Sequence, residues 1–114
     1  MHKDLKASRR YAKSLLDFAV SENKLDEVAV DMALVGKVCA DNKDLVKLLR
    51  SPLIKPDVKA RVMGEIFSGK IGSAVDKFIK IIISKRREAI LPGIANAFEN
   101  QLREHKGIVL AEVT

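Results

Sequence analysis

A chain of 114 residues, 47% of them hydrophobic and 32% charged, has the balance of one globular domain and excludes a disordered segment. Only 4% are aromatic, with no Trp, one Tyr and four Phe, which argues against a β-sandwich or a base-stacking sheet. The 21 basic and 15 acidic residues give a formal charge of +6, which suits nucleic acid, an anionic membrane surface or an acidic protein equally and by itself does not choose among them.

Helical spacing fills most of the chain between its prolines and glycines. The first predicted helix runs from Asp4 to Glu22 on Leu5, Ala12, Leu15, Leu16 and Ala19, and Asn23 breaks it. The second starts at Leu25. Its stripe Leu25, Val28, Met32, Val35 and Cys39 advances in steps of three and four. Asp41-Asn42 ends it, and Leu45, Val46, Leu48 and Leu49 form a short third helix before Ser51-Pro52. Pro56 suits the first turn of a fourth helix, where its missing N–H leaves nothing unpaired. That helix carries Val58, Val62, Met63, Ile66 and Phe67 and stops at Ser68-Gly69. A fifth spans Ser73 to Lys85. A sixth starts near Arg87, with Pro92 imposing a kink or a late start, and Gly107 reads as a left-handed cap. The β-branched tail, residues 108–114, reads as extended chain, as if a longer protein continued beyond it. The expected fold is an all-α, six-helix bundle with a short extended C-terminal tail.

Little in the chain points to catalysis. Gly64 to Lys70 has the spaced glycines and lysine of a phosphate-binding loop. But Ile71 stands where a hydroxyl should meet magnesium, and a helix precedes it instead of a strand. A helix end and turn is the better reading. His2 and His105 lie at opposite ends, and Cys39 sits on an apolar stripe, so no pair has metal-ligand spacing and no metal or cofactor is expected. The lone cysteine cannot form an internal disulfide, which fits a reducing compartment. No apolar run approaches the ~20 residues needed to span a bilayer, and the charged start Met1-His2-Lys3-Asp4 lacks the apolar core of a secretory signal.

Surface that a lone bundle would not need is more informative. At about 100° per residue, Lys3, Lys6, Arg10, Lys13 and Asp17 share one polar face of the first helix. Its apolar arc runs from Ala7, Tyr11 and Phe18 across Leu15, Ser8 and Ala19 to Leu5. On the fifth helix Ala74, Val75, Phe78, Ile79, Ile81, Ile82 and Ile83 wrap about 200° of the circumference, more than a surface helix buries. Either that helix is central and surrounded, or its spare edge, with Ile81 and Ala74 on one flank, receives a partner helix.

The stretch Arg10-Tyr11-Ala12-Lys13-Ser14-Leu15-Leu16-Asp17-Phe18-Ala19 resembles the opening helix of the delta subunit of F-type ATP synthase, whose mitochondrial counterpart is the oligomycin-sensitivity-conferring protein. Residues 48–54, Leu-Leu-Arg-Ser-Pro-Leu-Ile, are similar to that family's short helix and turn. Residues 84–92 and 105–114 continue the match in order. The resemblance implies a six-helix head-binding domain over residues 1–107, with 108–114 leading towards a further domain. It implies a non-catalytic stator role in a proton-translocating enzyme, at the cytoplasmic face of a bacterial inner membrane. The implied partners are an amphipathic helix at the N-terminus of an alpha subunit and, through the further domain, b-type stalk subunits. Neither nucleic acid nor direct membrane insertion is implied. Ala7, Tyr11, Ser14 and Phe18 on the first helix, with Ala74, Lys77 and Ile81 on the fifth, fall at the implied contact positions. Three positions depart from the family: Ser14 where alanine is common, Lys77 where an uncharged polar residue can occur, and Arg86 where glycine is frequent.

The competing reading is an RNA-binding helical bundle resembling transcription antitermination factors. It would use Lys3, Lys6, Arg10 and Lys13 with Lys85, Arg86 and Arg87.

Overall fold

A computed structural model describes the backbone of residues 2–113 and the side chains of residues 4–107. Six α-helices follow one another: α1 His2–Ser21, α2 Leu25–Asp41, α3 Lys43–Arg50, α4 Pro56–Phe67, α5 Ser73–Ser84 and α6 Leu91–Val113. A single 3-10 turn, Glu88–Ile90, precedes α6, so Pro92 marks a late start to the last helix. The all-α bundle expected from periodicity is the fold.

Local chemistry sets most boundaries. Asn23 takes a left-handed φ of 57°, and Lys24 N–H donates to Ala19 O at 2.8 Å while Asn23 N–H donates to Val20 O at 3.3 Å. This paired closure of α1 is a Schellman cap with Asn, one of the few side chains that tolerate this conformation. At the start of α3 the Asn42 side chain accepts from Leu45 N–H at 3.0 Å, satisfying a donor the helix cannot. Pro56 occupies the first turn of α4. The run from Gly64 to Lys70 is a helix end and a turn, as expected, since Gly64 lies inside α4 and Gly69 takes φ 73° beyond it.

The end of α5 repeats the cap of α1 with a costlier residue. Arg87 N–H donates to Ile82 O at 3.0 Å and Arg86 N–H to Ile83 O at 2.9 Å, with Arg86 held at φ 60°. A side chain at that φ crowds its own carbonyl, which glycine avoids. Arg86→Gly is therefore expected to stabilise the free chain by about 1 kcal/mol, read from paired urea melts. An unchanged or lower midpoint would mean that the arginine side chain itself holds the turn.

Packing centres on α6, which lies mainly against α1 and α2. Gly93 permits the close approach of α1: a Cβ there would meet Ser8 Oγ at 2.8 Å. Ala12, Leu15, Ala19, Val28, Met32, Val35, Ile79, Ile82, Leu91, Ile94 and Phe98 fill the shared core. The second-helix stripe is buried at Val28, Met32, Val35 and Cys39, as its spacing predicts. Met32→Ala should cost about 2–4 kcal/mol through lost transfer energy and the cavity left behind. A urea midpoint unmoved by that substitution would place Met32 outside the core.

Burial pushes the Cys39 thiol above its ordinary value of 9.0, because desolvation disfavours the thiolate. The sign follows from linkage. Below pH 9 both folded and unfolded thiols keep their proton, and above it the unfolded chain releases its proton first, so stability falls. The stability difference between the native chain and Cys39→Ala should therefore shift against the native chain between pH 8 and 10. A difference independent of pH would show the thiolate to be as well accommodated in the fold as in water.

Four expectations differ from the structure. Gly107 is no left-handed cap, and the extended tail expected over residues 108–114 is instead helical backbone as far as Val113, all that is described of it. A lone helical glycine costs only about 1 kcal/mol against alanine, and the following Leu110, Ala111 and Glu112 are good helix formers. Leu5, placed on the apolar arc, is half exposed. Near the start of α1 the bundle leaves this side chain uncovered. Ala7, expected among the contact positions, is buried in the bundle.

Candidate functional site

The first and fifth helices meet along a groove of about 400 Å³ lined by Tyr11, Ser14, Leu15 and Phe18 from α1 and Ala74, Lys77, Phe78, Ile81, Ile82 and Lys85 at α5. Of the seven residues singled out by sequence, Tyr11, Ser14, Phe18, Ala74, Lys77 and Ile81 come together there, and Ala7 does not. Ala7 lies on the same side of α1, but seven residues, nearly two turns, before Ser14. Leu15, Phe78, Ile82 and Lys85 complete the lining. The two apolar α5 residues among them belong to the arc already legible in sequence. Lys85 was legible only as a basic charge.

The α5 arc divides unevenly. Val75, Ile79, Ile82 and Ile83 are buried, whereas Ile81 is 51% exposed and Ala74 and Phe78 are partly covered. The helix is thus not surrounded: its Ile83 flank enters the core and its Ile81 flank faces the groove. Phe18 across the groove is 43% exposed. Two large apolar side chains left half in water on facing walls form a surface that a monomer gains nothing by exposing.

Polar groups frame this surface without interrupting it. Ser14 Oγ donates to Arg10 O at 3.1 Å, one turn back on its own helix. The hydroxyl is thereby satisfied, so Ser14 presents no bare polar group to the groove. Tyr11 is partly buried, and the Arg10 guanidinium lies 5.8 Å from its ring centroid, a cation–π contact that steadies one wall. Lys77 and Lys85 are the cations of the lining. On the neighbouring polar face, Lys13 pairs with Asp17 at 3.2 Å, both well exposed.

Nothing in this arrangement resembles a reaction centre. Among the described residues no group of three or more His, Cys, Asp or Glu side chains could hold a metal ion. His2 falls outside the described side chains, and His105 lies near the far end of the chain. No described helix is long and apolar enough to cross a membrane. What the groove offers is an apolar trough with a basic rim.

Comparison with known proteins converges on one group. The family described as ATP synthase delta (OSCP) subunit matches residues 7–114. ATP synthase subunit delta of Chlorobium luteolum is 44% identical over 108 residues, covering 95% of this chain and 60% of that protein. The subunit delta of Chlorobaculum parvum is 39% identical over 107 residues, and that of Cytophaga hutchinsonii 35% over 112. These alignments cover 94% and 98% of this chain, and 59% and 62% of the two relatives. The chain therefore spans about three-fifths of the length of the curated relatives it matches. With its helical order, its groove and these matches together, the chain belongs to the ATP synthase delta (OSCP) subunit family.

Proposed function

We propose that this chain is the head-binding part of a peripheral-stalk subunit of a proton-translocating F-type ATP synthase. Its α1–α5 groove takes an amphipathic helix from the N-terminus of an alpha subunit. The role is mechanical and not catalytic: the stalk keeps the alpha–beta ring from turning with the central shaft. The extra length that the relatives possess would carry the contacts with b-type stalk subunits. The chain would sit at the cytoplasmic face of the bacterial inner membrane only as part of that assembly, without inserting into the bilayer.

The observation that carries the reading is the half-exposed Ile81 facing Phe18 across a groove walled mainly by apolar side chains, with Lys77 and Lys85 as its cations. An amphipathic helix presenting apolar residues three and four apart is the ligand such a trough fits. Membership of the family supports the choice of partner. The test is calorimetric titration with a synthetic peptide of the N-terminal segment of the alpha subunit from the same organism. Saturable one-to-one binding with a negative heat-capacity change, the mark of apolar burial, is expected. A groove that ignores this peptide at millimolar concentration does not serve this function.

A further inference from the structure

We propose that a second cavity, of about 400 Å³ and walled by Arg50, Arg86 and Arg87, is a receptor site for a phosphate group in its dianionic form. It shares no lining residue with the α1–α5 groove, so the two readings stand or fall separately.

Three features carry the inference. The first is uncompensated charge. None of the three arginines is among the ion pairs of the described residues, and Asp4 is the sole acidic residue in the lining. Three cations against one anion leave a formal excess of two, the charge of a phosphate monoester and twice that of one carboxylate.

The second is a buried clamp between the segments that carry the arginines. Lys59 Nζ donates to Leu49 O at 2.9 Å and to Glu88 Oε2 at 2.6 Å. Leu49 precedes Arg50, and Glu88 follows Arg87. A single buried ammonium thus fixes the spacing of the two segments that bring the arginines together. Binding would then require little backbone ordering, and guanidinium forks match phosphate oxygens two at a time.

The third is the residue at the left-handed position. Arg86 holds φ 60° where glycine would be unstrained, so a backbone cost is retained at a residue that brings a cation to the cavity. Val46 and Ile90 supply an apolar part of the wall, where charge interactions are less screened than in water. The cavity's concavity and volume suit a compact ligand better than an extended acidic segment, which needs its cations spread along a groove.

The experiment is amide-resolved NMR titration of the 114-residue chain, with inorganic phosphate in one arm and adenosine monophosphate in the other. Saturable shifts confined to Arg50 and residues 86–90 are expected. Arg87→Gln and Arg50→Gln should each weaken binding about fivefold or more, and Arg86→Gly should weaken it while raising the melting midpoint. Asp4→Asn should tighten binding about twofold by removing the one repelling charge. Lys24→Gln removes the same unit of positive charge elsewhere and should leave affinity unchanged. Equal affinity in both arms assigns the site to free phosphate. Tighter adenosine monophosphate binding assigns it to a nucleotide-borne phosphate resting on the apolar wall. Shifts scattered over the basic surface, or a Lys24→Gln effect equal to that of Arg87→Gln, would overturn the proposal. So would a response to polyglutamate with none to phosphate, which would make the cavity a contact for an acidic protein.

Discussion

Lys59→Met is expected to destabilise the fold by about 3–5 kcal/mol, the largest single effect foreseen outside the apolar core. Lys59 is 2% exposed and Glu88 4%, so both charges have left water. Their 2.6 Å contact, with the second donation from Lys59 to Leu49 O, is what makes that burial tolerable. Methionine would fill much of the same space but leave the Glu88 carboxylate buried beside no cation. Its Oε1 already lacks a hydrogen-bond partner among the described residues, so nothing is positioned to absorb the loss. Replacing both residues, Lys59→Met with Glu88→Leu, removes both desolvation penalties and should recover most of the stability. Urea melts of the two single variants and the double variant decide the matter. If the double variant is no better than the singles, the pair contributes through packing and not through charge.

This pair also marks where reading the sequence stops. The helices were legible because apolar residues recur at helical spacing and because Pro56, Asn42 and Asn23 carry start and stop chemistry in their own side chains. Lys59 and Glu88 are 29 positions apart, and each looks like one more polar residue on a solvated face. Only the meeting of α3, α4 and the 3-10 turn makes them partners. The candidate groove was legible for a related reason and to a related limit. Angular position put Tyr11 and Phe18 on the edge of the α1 arc and Ala74 and Ile81 on one flank of α5, the family resemblance added Ser14 and Lys77, and all six line one groove. Angle says nothing of where along its axis a helix is covered, so Ala7 lies buried in the bundle and Leu5 is left exposed. Gly107 failed as a stop signal because a glycine ends a helix only where its backbone takes the left-handed turn, as Gly69 does.

Ile81→Asp should abolish most of the groove's affinity for a helix while leaving the domain folded. The two halves of that statement rest on different facts. The free side chain is 51% exposed, so an aspartate there can reach water, and the cost to stability should stay below about 1 kcal/mol. In a complex the same position would be closed over by an apolar face, with Phe18, Phe78 and Ile82 around it. A carboxylate trapped there finds Lys77 and Lys85 in the lining, so part of its burial cost is offset. The rest should weaken binding by at least about tenfold, or about 1.4 kcal/mol. Lys13→Gln, on the neighbouring polar face, should leave affinity at high salt unchanged and alter mainly the association rate. Calorimetry with the alpha-subunit peptide, paired with thermal melts of each free variant, separates the possible results. Unfolding by Ile81→Asp would make Ile81 a core residue and close the groove as a binding surface. Normal folding with undiminished binding would move the partner helix to another face, because no helix can seat its apolar edge across α1 and α5 without covering Ile81.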